Sequence, residues 1–148
     1  MSKLEVLVKC LKDGVTLPFY ATEGSAGMDL KAVIDEPVVL KKGEISLIST
    51  GIAISIPSPE YGAFVFARSG LASKHGICLA NSVGVIDSDY RGEIKCALIN
   101  LGQEDFVIEN GERIAQMVFM PVAQASLKQT DTLDETKRGS GGFGSTGR

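Results

Sequence analysis

Glu44-Ile-Ser-Leu-Ile-Ser-Thr-Gly-Ile-Ala-Ile-Ser-Ile-Pro57 places Ile52, Ile54 and Ile56 on one side of an extended chain and Ala53 and Ser55 on the other. Successive side chains of a strand point to opposite faces, so this period of two predicts β-structure. The same reading extends outward to Ala63–Ala67, Glu93–Asn100, Phe106–Glu109 and Arg113–Met120, each bounded by Gly, Pro, Asn or Asp. No window of a dozen residues keeps a helical 3.6-residue repeat. Only Ser69-Gly-Leu-Ala-Ser-Lys-His75, closed by Gly76, reads as one or two helical turns, with Ser69 able to cap the first amides. An all-β barrel or jelly roll with one short helix is the expected fold.

A length of 148 residues fits a single domain. The net charge of −3 argues against a sequence-independent grip on DNA or an anionic membrane, while single nucleotides remain admissible ligands. Cys10, Cys78 and Cys96 are odd in number and form no C-x-x-C pair, so reduced, buried thiols are expected. With His75 they are too scattered to make a structural zinc site. The first residues interrupt apolar positions with charge, and no run approaches the ~18 apolar residues of a membrane span, so a cytoplasmic setting is expected.

Two strands lack a polar face. Ile94, Cys96 and Leu98 alternate with Lys95, Ala97 and Ile99, and Ala115, Met117 and Phe119 alternate with Ile114, Gln116, Val118 and Met120. Such strands need cover on both sides, and with hardly any helix available that cover is another sheet or another subunit. The end of the chain differs. Between Ser126 and Arg148 only Leu127, Leu133 and Phe143 are apolar, while five of the 17 glycines fall there. This composition cannot offset its own ordering entropy, which divides the chain into a barrel, residues 1–125, and a linker with a mobile Gly-rich arm, residues 126–148.

Five segments carry polar chemistry. Arg138-Gly-Ser-Gly-Gly-Phe-Gly-Ser-Thr-Gly-Arg148 fits G-x-G-x-x-G formally, but a dinucleotide fold needs a strand before and a helix after. What remains is glycine amides, two hydroxyls, two guanidinium groups and an aromatic ring able to meet phosphates and a base, or else a plain Gly/Ser tail. Ile86-Asp-Ser-Asp-Tyr-Arg-Gly-Glu93 reads as a hairpin tip with two carboxylates and a tyrosine. Arg91 and Leu98 stand where a calcium loop needs oxygen ligands. Arg68-Ser69-Gly70 precedes the helix and suits an anion or an ordinary capped turn. Gln116 reads as a buried amide that must find partners, Asp29 as a possible turn-fixing carboxylate, and His75 as a packing or capping residue.

Taken together, Ala26-Gly-Met-Asp-Leu30, Ala67-Arg-Ser-Gly-Leu-Ala72, Asn81-Ser-Val-Gly-Val-Ile-Asp-Ser-Asp-Tyr-Arg-Gly92, Gly111-Glu-Arg-Ile-Ala-Gln-Met117 and Arg138-Gly-Ser-Gly-Gly-Phe-Gly-Ser-Thr-Gly147 resemble, in order, the five motifs of the homotrimeric dUTPase family. Met28 departs from a common aromatic and Ala67 from a common proline, neither a reacting group. The resemblance implies a distorted jelly-roll barrel, a homotrimer with sites between subunits, and hydrolysis of dUTP to dUMP and pyrophosphate with Mg2+ on the triphosphate. That hydrolysis would limit uracil incorporation into DNA and supply dUMP for thymidylate synthesis. It further implies that Asp87 directs the attacking water and that Arg68, Ser69, Gly70 and Gln116 meet the phosphates, with Asp29 holding a metal-bound water. Asn81, Gly84, Val85 and Ile86 would read uracil and Tyr90 the sugar. Arg138, Phe143, Gly144, Ser145 and Thr146 would close over the nucleotide as a lid. Nucleic acid and membranes are not expected partners. A dCTP deaminase of the same fold and a non-catalytic dUTP sensor are the alternatives, distinguished by ammonia release and by binding without a phosphate product.

Overall fold

The computed structural model describes residues 4–144. Eleven strands and one helix follow along it: β1 Leu7–Cys10, β2 Met28–Lys31, β3 Val38–Leu40, β4 Ile45–Ser49, β5 Ile52–Ser55, β6 Tyr61–Phe66, α1 Ser69–His75, β7 Ile77–Leu79, β8 Gly84–Ile86, β9 Lys95–Asn100, β10 Phe106–Ile108 and β11 Arg113–Pro121. The alternating stretch from Glu44 to Pro57 is two strands, because Gly51 turns the chain at φ 70°, a left-handed conformation that costs glycine little. The break also changes sheets: β4 pairs with β9, and β5 pairs with β1.

All pairings are antiparallel. They form a four-stranded sheet ordered β2-β11-β6-β8, a three-stranded sheet β4-β9-β7, and the pairs β1-β5 and β10-β3. Inward side chains from these sheets meet in one core that includes Leu30, Leu40, Ile48, Ile52, Ile77, Leu98, Ile108 and Met117. Each such side chain contributes ~1.5–3 kcal/mol when fully buried, so the core needs neither disulfide nor metal. The polar exception, Asn100, is fully satisfied: its Nδ2 donates to the carbonyls of Leu40 and Glu104, both at 2.8 Å, and its Oδ1 accepts from Gly102 N–H.

The strands expected to be apolar on both sides are covered on one only. Ala115 and Met117 of β11 are buried, as is Ile114 where the register shifts, whereas Gln116, Val118 and Met120 are half-exposed, and Ala97 and Ile99 of β9 likewise. Val85 on β8 and Ile45 and Leu47 on β4 remain 64%, 60% and 62% exposed. One chain therefore leaves two sheets with apolar outer faces.

Three local expectations are corrected. Helix α1 has the expected span, ended by Gly76 in the left-handed conformation, but its N-cap is Arg68, and no side chain caps it; Ser69 is already the first helical residue. The thiols are free but not uniformly buried, since Cys10 is exposed, Cys78 half-buried and only Cys96 buried. The segment Ile86–Glu93 is not a hairpin tip: β8 belongs to the four-stranded sheet and β9 to the other, so the loop crosses between sheets. The pattern of apolar residues shows that two strands flank a loop, but not whether they pair with each other. Among the described residues no helix is long and apolar enough to cross a membrane.

Candidate functional site

The four-stranded sheet places Asp29, Gln116 and Phe66 side by side in one row across β2, β11 and β6. Just past the end of β6, Arg68 reaches back over this row. Its Nε donates to Asp29 Oδ1 at 2.9 Å, and its Nη1 donates to the Arg113 carbonyl at 3.3 Å. Arg113 completes the group with Nη1 3.2 Å from Asp29 Oδ2. Two guanidinium groups thus share one half-buried carboxylate, leaving a net positive charge beside the exposed Ser69 and Gly70 of α1. Gln116 ties the junction together, its Nε2 donating to the Ala67 carbonyl at 3.0 Å. The amide is half-exposed rather than buried, because its strand face is one that the chain leaves open.

Asp87, Asn81 and Tyr90 line a second cleft. Together with Gly84, Val85 and Ile86 they border an open groove of about 550 Å3, walled by Leu47, Val65, Glu93 and Lys95. The loop is self-supporting: Tyr90 N–H donates to the Asp87 carbonyl at 3.1 Å, and the Tyr90 hydroxyl donates to the Glu93 carbonyl at 3.0 Å. Arg91 Nη1 donates to the Ser88 carbonyl at 2.7 Å. The Tyr90 ring lies so close over Gly92 that a Cβ there would overlap the ring and hydroxyl. The Asp87 carboxylate is exposed and has no ion pair among the described residues.

The two clusters stand apart. Ile86 is level with Ala63 on β6, while Gln116 is level with Phe66 two strands away. At ~3.4 Å per residue and ~4.8 Å per strand, three residues and two strands put Asp87's end of β8 roughly 14 Å from Gln116. Arg68 lies farther still, beyond the opposite end of β6.

Among its described residues the arm makes no hydrogen bond to either cluster. Val122 N–H makes the last barrel contact, donating to the Glu60 carbonyl at 2.7 Å, and every residue from Pro121 through Ser140 is exposed. Its order is local: Arg138 Nε donates to the Gly141 carbonyl at 2.8 Å and Gly139 N–H to the Thr136 carbonyl at 3.0 Å. Phe143 and Gly144 are exposed; Ser145 and Thr146 lie outside the described residues. His75 stands against Phe106 with ring centroids 5.1 Å apart, in keeping with packing.

Arg113 and Glu93 were not singled out from the sequence, although both adjoin site residues. Arg113 pairs with a carboxylate 84 positions away, and no local signal announces a contact of that range. Among the described residues no three His, Cys, Asp or Glu side chains converge into a metal-binding group.

The dUTPase family model matches residues 13–147, nearly the whole chain. The chain belongs to the dUTPase family. The deoxyuridine 5'-triphosphate nucleotidohydrolase of Desulfitobacterium hafniense is 61% identical over 131 residues, covering 88% of this chain and 87% of that protein. The Rickettsia felis enzyme of the same name is 56% identical over 148 residues, covering 99% of each. Among solved structures, the Staphylococcus bacteriophage 80alpha dUTPase with dUpNHpp has a TM-score of 0.88 at 29% identity, covering 97% of this chain and 99% of that one. A mutant dUTPase of phage phi11 of S. aureus, whose structure details coordination of a structural Mg(II) ion, has a TM-score of 0.78 at 25% identity, covering 88% of this chain and 99% of that one. The jelly-roll-type fold is therefore the dUTPase fold, and the chain is an enzyme that hydrolyses dUTP.

Proposed function

We propose that three copies of this chain assemble so that the Asp87 groove of one meets the Arg68–Gln116 cluster of another, and that dUTP is cleaved between them to dUMP and pyrophosphate. The observation that carries this reading is the separation within one chain: carboxylate and cations sit at opposite ends of one sheet, while apolar outer faces await cover. A closed symmetric assembly joins such halves without any change of fold.

Asp87, exposed and without an ion pair among the described residues, orients a water and accepts its proton as the water attacks the α-phosphorus. A carboxylate is a weak base at neutral pH, so orientation and charge stabilisation supply most of the rate. Arg68, Ser69, Gly70 and Gln116 hold phosphate oxygens. The two ion pairs give Asp29 a definite task, keeping the Arg68 guanidinium aimed, and this accounts for its oxygens better than a water of the metal does. Among the described residues no side-chain cluster converges to hold a metal, so Mg2+ would be carried by the triphosphate and would supply charge neutralisation for the leaving pyrophosphate. Backbone groups from Asn81 to Ile86 read the uracil edge, and the Tyr90 ring excludes a ribose 2'-hydroxyl.

The arm supplies the last pieces. Fifteen residues separate Val122 from Arg138, so the sixteen steps between them reach up to ~53 Å when extended, ample for a neighbouring subunit. Arg138, Ser145 and Thr146 then clamp the terminal phosphates, Gly144 lets the backbone approach, and Phe143 covers the base, excluding water.

Pyrophosphate release from dUTP and magnesium, measured beside dTTP, dCTP and UTP, tests the reaction. Mixed assemblies test the architecture. Inactive Asp87→Asn and Gln116→Ala chains, unfolded and refolded together, should recover about a quarter of wild-type activity, because random assembly joins an intact half from each chain at that frequency. Recovery of none would mean that each chain builds its own complete site.

A further inference from the structure

Glu93 forms part of the wall of the Asp87–Tyr90 groove, yet the chemistry above leaves it without a task. Its side chain is 22% exposed and fully engaged: Oε1 accepts the Gly51 backbone N–H at 3.0 Å, and Oε2 lies 3.5 Å from Lys95 Nζ. Its main chain is engaged as well, the carbonyl accepting the Tyr90 hydroxyl at 3.0 Å. One residue thus grips the β4–β5 turn with its side chain and the Tyr90 ring with its backbone.

The turn is a firm anchor. Gly51 is buried, and its carbonyl accepts Leu11 N–H at 2.8 Å. Next to Glu93, Ile94 N–H donates to the Ile52 carbonyl at 2.9 Å, and the Ile94 carbonyl accepts both the N–H and the hydroxyl of Thr50. The loop is therefore fastened to the core at its Glu93 end, on the same turn that carries the chain between sheets.

We propose that Glu93 is a positioning residue for sugar selection: by holding Gly51 N–H it fixes the height of the Tyr90 ring, and so sets how strongly a deoxyribose is preferred to a ribose. The proposal rests on the reading of Tyr90 as the residue that excludes the 2'-hydroxyl. Without the Glu93 carboxylate the Gly51 amide loses its partner, and the carbonyl that holds the Tyr90 hydroxyl is free to shift. A ring allowed to drop admits the extra hydroxyl.

The test is kcat and KM with dUTP and UTP for wild type, Glu93→Ala, Glu93→Gln and Tyr90→Ala. Glu93→Ala should lower the dUTP-to-UTP ratio of kcat/KM at least ~10-fold. Glu93→Gln, whose amide oxygen still accepts from Gly51, should return the ratio to within ~3-fold of wild type. Should the alanine variant not fold, Glu93→Asp, which draws the carboxylate back by one methylene, is expected to lower the ratio in the same direction. A purely structural role would reduce thermal stability and depress both substrates alike, and an unchanged ratio in Glu93→Ala or its Asp substitute overturns the proposal. If Tyr90→Ala lowers the ratio while the Glu93 variants do not, the positioning role falls and the Tyr90 reading stands. If Tyr90→Ala leaves it unchanged, both fall.

Discussion

The Asp87–Tyr90 loop and the C-terminal arm both carry residues proposed to touch the nucleotide, but they are built in opposite ways. The loop is laced to the core through Glu93 and Ile94, and its tyrosine is pinned by hydroxyl and ring. From Ala123 through Ser140 the arm is exposed, and its described bonds are with itself. Ordering a residue costs ~1–2 kcal/mol of backbone entropy. In the loop that cost is met during folding; in the arm, the proposed closure would meet it when nucleotide binds. The contrast suits the proposed division of labour, selection and water orientation for the loop and closure for the arm.

The sharpest break of that comparison is Asp87→Asn, which keeps the loop's shape while removing the proton acceptor. Turnover should fall at least ~10²-fold with nucleotide affinity retained, as measured by single-turnover kinetics and equilibrium binding. Unchanged kcat would remove Asp87 from its role. Deleting residues 138–148 comes next. Turnover should fall by at least ~10-fold, while the thermal midpoint moves by no more than ~2 °C, because the described residues of the deleted stretch form no hydrogen bond with the barrel. Loss of the unfolding transition would show that the arm is structural.

Gly92→Ala tests the loop from the other side. The new methyl collides with the Tyr90 ring, so stability should drop by about 1–3 kcal/mol together with weaker dUTP selection, a coupling that no arm substitution should show. Wild-type selectivity in a destabilised protein would separate the ring from the sugar. The effect smallest at neutral pH belongs to a core residue of β9. Burial pushes the Cys96 thiol up from 9.0 to about 12. In the unfolded chain the thiol ionises first as pH rises, so its linkage contribution is constant below pH 9 and decreases toward about 12. Denaturation curves should show that loss, and Cys96→Ala should flatten it. In the native protein a thiol reagent should modify exposed Cys10 at once and Cys96 only on unfolding.

Much was legible locally. Ile52, Ile54 and Ile56 are buried as their alternation implies, the helix runs over Ser69–His75, and the exposed tail is visible in its composition. These features follow from steric and solvation preferences that act between neighbours in the chain. The misreadings arose where a partner lay far away. Ile86–Glu93 reads as a hairpin because alternation cannot say which strand a strand will join, and Ser69 reads as a cap because Arg68 and Ser69 differ by a single helical position.

The sequence by itself determined that the chain is β-rich, which stretch is poor in apolar residues, and, through five ordered motifs, which family it resembles. Only the tertiary structure decided that Asp29 is shared by Arg68 and Arg113, that Glu93 fastens the loop through Gly51, and that Asp87 and Gln116 stand at opposite ends of one sheet. Alternation and turn chemistry are encoded within a few residues, whereas a contact between strands depends on sheet order and register, which the whole core settles at once.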